Sequence, residues 1–250
     1  MQRIPVSSNL PASRYFALTA SALRQQGGRL LKSTPWAFAV FVMTLPVALL
    51  LPYRSLVSSA FFLFIVVNLL ALTRVSVAWL RQVVPGGHAN NPDWRLGKPE
   101  WMSLGLLALL IAIGTALMYA TARVPVVLYF ALDGVLDSVF FVSLFLALAA
   151  IWLPVLYLVS TFFQSLARAA VSGRYDFWRT RQEGQTPAWP MMSVLFLLAV
   201  FLVLTGALLS KAISNMSLAA IALGLLGILL CLGMVMMVTT MCAVAYRERR

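Results

Sequence analysis

The sequence predicts an all-α polytopic membrane protein: six transmembrane helices in three hairpins, with both termini cytoplasmic. Three observations predict it. The 250 residues are 62% hydrophobic and only 10% charged, whereas a typical soluble domain is about 25% charged. A soluble core of this size cannot hide that much apolar surface, and lipid removes the requirement. Six apolar runs each reach or nearly reach the ~20 residues that a helix needs to cross ~30 Å of hydrocarbon. Lysine and arginine, finally, fall on alternate connections, as the positive-inside bias requires.

The first 35 residues form a basic cytoplasmic segment, and residues 36–250 the six-helix domain. Within the segment, ASRYFALTASALRQQGGRLLK (Ala12 to Lys32) is amphipathic. Tyr15, Leu18 and Ala22 share one helical stripe and Phe16, Ala20 and Leu23 an adjoining one, with basic residues between and beyond. This pattern predicts an interfacial helix drawn to anionic lipid at the cytoplasmic surface. The pair Gly27-Gly28 is expected to break it before the first span.

The spans cover about 36–53, 57–80, 101–122, 138–160, 189–209 and 217–246. Backbone groups in lipid must bond within their own segment or around a closed barrel. The runs are continuous rather than alternating, which selects helices. With the N-terminus inside, the cytoplasmic face receives Arg3, Arg14, Arg24, Arg29, Lys32, Arg74, Arg81, Arg95, Lys98, Arg168, Arg174, Arg179, Arg181, Arg247, Arg249 and Arg250. The outer face keeps Arg54, Arg123 and Lys211. The net charge of +12 is thereby explained without nucleic acid. Ser58-Ser59-Ala60 loosely resembles a signal-peptide cleavage site, but a basic region of about 35 residues precedes the run and another span follows at once, so the helix is expected to stay uncleaved.

Three helices running outward open alike, with Thr34-Pro35-Trp36, Pro99-Glu100-Trp101 and Pro187-Ala188-Trp189. Proline suits a first turn, where its missing N–H is unpaired anyway, and tryptophan suits the headgroup level. Two explanations are open: one repeated hairpin unit, or the general recurrence of Pro-Trp at interfaces. Small residues recur on one face at Ala108, Ala112, Ala116 and Ala120, and again at Ala220/Gly224 and Gly227/Cys231. Both sets are expected to face neighbouring helices. Pro46 and Pro154 lie inside spans and are expected to bend them. Cys231 and Cys242 lie about 16 Å apart along one helix, beyond disulfide reach.

The candidates for chemistry are few. Asp133 and Asp137, four residues apart at the outer mouth of the fourth span, are expected on one helix face. They are either an intramembrane proton or cation site, or a wet pair near Arg54, Arg123 or Lys211. Arg74 lies about 10 Å deeper than Arg81, with Asn68 two turns further in. Arg74 either holds an anion or another helix, or snorkels to the headgroups. His88, the single histidine, stands in a loop, and no zinc or haem ligand set can be assembled. Neither a phosphate-binding loop nor a catalytic triad is spelled out, so no metal, cofactor or enzymatic activity is expected. In SGRYDFWRTRQEGQTPAWP (Ser172 to Pro190), Arg174, Arg179 and Arg181 can face phosphates while Trp178 sinks into the headgroup boundary. That describes a surface strip, for headgroups or a partner.

The basic helix before TPWAF, the loop RQVVPGGHANNPDWRLGKPEW, the stretch FFQSLARAAVSGRYDFW and the terminal AVAYRERR resemble bacterial inner-membrane proteins. These are of the type of the glycerophosphodiester phosphodiesterase membrane domain and related six-helix families. The resemblance implies the same six-helix fold in a bacterial inner membrane. It implies no catalytic residues, because the phosphodiesterase activity of that family resides in a separate soluble domain. The expected function is that of a non-enzymatic scaffold or accessory subunit of a cell-envelope complex, with membrane-protein partners or copies of itself. The alternative is a permease or lipid-handling transporter subunit.

Overall fold

The computed structural model describes residues 11–50, 59–84, 97–173, 188–215 and 218–247. All regular structure among them is helical: α1 (Ala12–Ser33), α2 (Pro35–Leu50), α3 (Ser59–Val83), α4 (Lys98–Ala122), α5 (Val124–Ala131), α6 (Ser138–Ser172), α7 (Ala188–Asn215) and α8 (Leu218–Arg247). Five stretches are long and apolar enough to cross a membrane: Phe62–Val83, Lys98–Ala131, Ser138–Val171, Ala188–Ser214 and Leu218–Arg247. The first expected span is represented by α2, whose 16 residues rise about 24 Å. Residues 51–53, which would complete it, lie outside the described residues.

Consecutive long helices pack in pairs, α2 along α3, α4 along α6 and α7 along α8. The α7–α8 pair shows how sequence sets the approach. A Cβ on Gly224 would lie 2.8 Å from Leu209 Cδ2, and one on Gly227 would collide with Thr205 Oγ1. Glycine at these two positions lets the backbones close. Cys231 continues the stripe, its Sγ 3.6 Å from Thr205 Oγ1. The other predicted stripe behaves differently. Ala112, Ala116 and Ala120 are exposed and Ala108 only half-buried, while Leu106, Leu107, Leu110 and Leu117 carry the α4 contact. Leucines gain more dispersion contact there, and nothing in this chain requires the closer approach that alanine allows.

The main core lies at one end of the bundle. It joins Val75–Val84 of α3, Leu106–Leu110 of α4, Leu166–Ala170 of α6, Met191–Leu195 of α7 and Val238–Ala245 of α8. These are the helix ends that the charge pattern assigns to the cytoplasmic side. Helix α1 completes this core. Tyr15, Thr19 and Ala22 are buried, and Phe16 meets Trp189 edge-on at 6.4 Å. The predicted stripe of α1 is thus turned onto the protein, while Arg14 and Arg24 are exposed. Gly27-Gly28 does not interrupt the helix, which runs on to Ser33. A single glycine costs a helix only about 1 kcal/mol, which the docking of the preceding turns offsets. Pro46 and Pro154 likewise sit within continuous helices.

Gly227→Ala should destabilise the protein by about 1–3 kcal/mol through overpacking, read as a lowered unfolding midpoint in detergent. Adding Thr205→Ala, which removes the colliding atom, should restore much of the loss.

Candidate functional site

The main core is bound together by polar contacts that reach across helices. Arg81, in the last turn of α3, places Nη1 2.9 Å from Glu100 Oε1 in the first turn of α4. Its Nε also donates to the Ala170 carbonyl of α6 at 3.3 Å. One guanidinium therefore ties three helices, a task suited to its planar array of donors. Glu100 is only 7% exposed and lies where the α4 dipole favours a negative charge. Beside it, Gly173 ends α6 at φ +62, with Pro99 3.5 Å from where a Cβ would stand. The left-handed conformation and the close proline together favour glycine there.

On the other side of α3, Trp79 is fully buried and its Nε1 donates to Thr240 Oγ1 on α8 at 2.8 Å. Tyr15 donates its hydroxyl to the Met241 carbonyl at 2.7 Å. Thr240 donates its own hydroxyl to the Met236 carbonyl at 2.6 Å. Sequence reasoning did not select Glu100, Trp79, Thr240 or Tyr15 as site residues. One signal for Glu100 was present: a carboxylate in the first turn of one predicted helix, with an arginine near the end of the preceding one. For the other three, helical phase alone gives no partner.

Of the selected residues, Asn68 is buried and bonded. Its Nδ2 donates to Phe41 O at 3.1 Å and to Thr44 Oγ1 at 2.9 Å, fastening α3 to α2. Thr44 in turn donates to Val40 O at 2.8 Å. Arg74 is half-buried on the same helix. Asp133 and Asp137 do not share a helix face, contrary to expectation. Asp133 adopts φ 53 and Gly134 φ 76 in the turn after α5. Asp137 then starts α6 as its N-cap, with Oδ1 accepting from Phe140 N at 2.9 Å. Aspartate is favoured both in a left-handed turn and at a cap, so local backbone needs account for both. Each is exposed, and neither is brought to Arg74, which belongs to the half of α3 that joins the core.

The strip residues Arg174, Trp178, Arg179 and Arg181 lie outside the described residues, as does His88. Among the described residues, no three His, Cys, Asp or Glu side chains gather to hold a metal. Cys231 and Cys242 are buried and free. No known family, curated protein or solved structure matches the chain.

Two outcomes test these assignments. Asp137→Asn, which keeps a capping oxygen, should leave stability nearly unchanged, whereas Asp137→Ala should cost about 1 kcal/mol; a large effect of the asparagine variant would restore the ion-site reading. Arg81→Leu or Glu100→Leu alone should cost about 2 kcal/mol, less than for a fully buried pair because Arg81 is partly solvated. The double variant should lose less than the sum, as measured by thermal unfolding in detergent.

Proposed function

We propose that this chain is a non-catalytic membrane protein, a scaffold or accessory subunit that assembles with other proteins in the cell envelope. The observation that carries the proposal is how the polar side chains of the apolar helices are used. Asn68, Trp79, Arg81, Glu100 and Tyr15 each bond to a neighbouring helix. Polar groups that served transport would line a wet path, and those that served catalysis would converge on one point. Groups that join helices stabilise a shape instead. Large exposed side chains on α4, α5 and α6, among them Tyr119, Phe130, Phe141 and Phe145, supply surface for lipid or for partner helices.

The membrane setting completes the reading. We place six crossings, with α2 as the first, and both termini at the cytoplasmic face of a bacterial inner membrane. The charge distribution supports this orientation. An equal spacing supports the crossings themselves: Trp101 to Arg123 and Trp189 to Lys211 are both 22 positions apart. That is about 33 Å of helix, the hydrocarbon thickness bracketed by an interfacial tryptophan and a cation. Exposed Arg14 and Arg24 on α1 suit anionic headgroups at the inner leaflet.

Extraction in mild detergent should co-isolate partner proteins in fixed ratio, identified by mass spectrometry together with bound lipid. A chain that purifies without protein partners or copies of itself overturns the scaffold. Reporter fusions at either end should be active only in the cytoplasm, and an externally active terminus overturns the topology. Arg74→Ala should leave inserted protein functional in a growth or assembly assay; complete loss of function would favour the permease reading.

A further inference from the structure

Helices α6 and α7 meet at Trp152 and Phe196, whose ring centroids are 6.4 Å apart and nearly perpendicular. The C-terminal end of α6 and the N-terminal end of α7 both join the main core, so the two helices run antiparallel. From Trp152 toward that core, the same stripe of α6 continues as Leu156, Val159 and Phe163, which are buried or half-buried. In the other direction it continues as Phe145 and Phe141, which are 71% and 60% exposed. On α7 the stripe that carries Phe196 continues away from the core as Val200, Val203 and Ala207, and all three are exposed. Two stripes that touch at one pair and are both bare beyond it bound a groove, with the aromatic pair as its floor. Pro154 stands two residues past Trp152 inside α6. It has no N–H to give the Ala150 carbonyl, so α6 yields most easily at that floor.

Opposite charges stand at the mouth of this groove. Asp137 comes 15 positions before Trp152, and Lys211 comes 15 positions after Phe196. Each is therefore about 22 Å of helix beyond the floor. Half of a bilayer with its headgroups is also about 20–22 Å, so a floor near the midplane puts both charges at headgroup level. Both side chains are exposed, and no ion pair joins them among the described residues. Asp137 spends Oδ1 on the Phe140 N–H, which leaves Oδ2 for a ligand. A partner helix could cover the apolar walls, but nothing in such a helix calls for a separated anion and cation at one height. A phospholipid with an ammonium beside its phosphate matches both charges, and its acyl chain matches the walls below them.

We propose that the groove between α6 and α7 binds an aminophospholipid, with its phosphate on Lys211, its ammonium on Asp137 and an acyl chain along Phe141 and Phe145. The inference goes beyond the scaffold reading. Of the membrane placement proposed above it needs only that α6 and α7 cross the bilayer. It is tested with the purified full chain carrying Phe145→Cys labelled with a benzophenone maleimide; the two native cysteines are buried. The labelled chain is reconstituted into vesicles of equal phosphatidylethanolamine and phosphatidylglycerol, irradiated, and its adducts are identified by mass spectrometry. Phosphatidylethanolamine adducts should exceed phosphatidylglycerol adducts about fivefold. Asp137→Asn, which keeps the capping oxygen and so the fold, should abolish that preference. Lys211→Gln should lower both adducts. Equal capture of the two lipids, or a preference that survives Asp137→Asn, overturns the headgroup clamp, while a lipid adduct of either kind leaves the crossing of α6 standing. Capture of a protein in place of lipid overturns the lipid as occupant. A chain that gives no adduct and washes off the vesicles at high salt overturns the crossing, and the groove with it.

Discussion

A polar group inside lipid has no water to fall back on, so a partner within the protein is worth more to it than in a soluble fold. This constraint organises the bundle. In a soluble protein the same side chains could point outward at little cost. Here Asn68 turns to a threonine hydroxyl and a carbonyl of α2, and Trp79 reaches a threonine on α8. Arg81 satisfies a carboxylate and a carbonyl on two further helices. Each contact is individually modest, since hydrogen bonds between membrane helices contribute only about 0.6–2 kcal/mol. Their value lies in direction: apolar faces can slide past one another, whereas these pairs hold one register.

The contacts are unevenly distributed. Trp79, Arg81, Glu100, Tyr15 and Thr240 gather at the end where α3, α4, α6, α7 and α8 form the main core, and α1 lies across it. At the opposite end, glycines let α7 and α8 close tightly, while α4, α5 and the first half of α6 leave large apolar side chains uncovered. Lipid is as apolar as leucine, so the uncovered half loses nothing by hydrophobic accounting. The bundle is thus tied together at one end and leaves large apolar side chains exposed toward the other.

Particular residues show where sequence reasoning succeeded and where it failed. Gly224 and Gly227 were legible because small residues at four-residue spacing permit close approach, and α7 takes that approach. Ala112 and Ala116 follow the same rule, yet they face outward. Spacing describes what a face allows and does not say whether a neighbour uses it. Asp133 and Asp137 suggested one helix face by arithmetic alone. The left-handed pair Asp133-Gly134 turns the chain between them, and this conformation depends on local backbone energetics that helical counting ignores. Helix α5 went unseen as a separate element because its composition merges with that of α4.

Composition and run length determined the all-helical class and the five long apolar helices. These follow from the sequence because transfer of a side chain into lipid depends on that side chain alone. Only tertiary structure decided that α1 turns its apolar stripe onto α8, that Arg81 meets Glu100, and that α5 buries none of its residues. A helix's rotation about its axis is set by its neighbours, and hydropathy, which sums over all faces, contains no record of it.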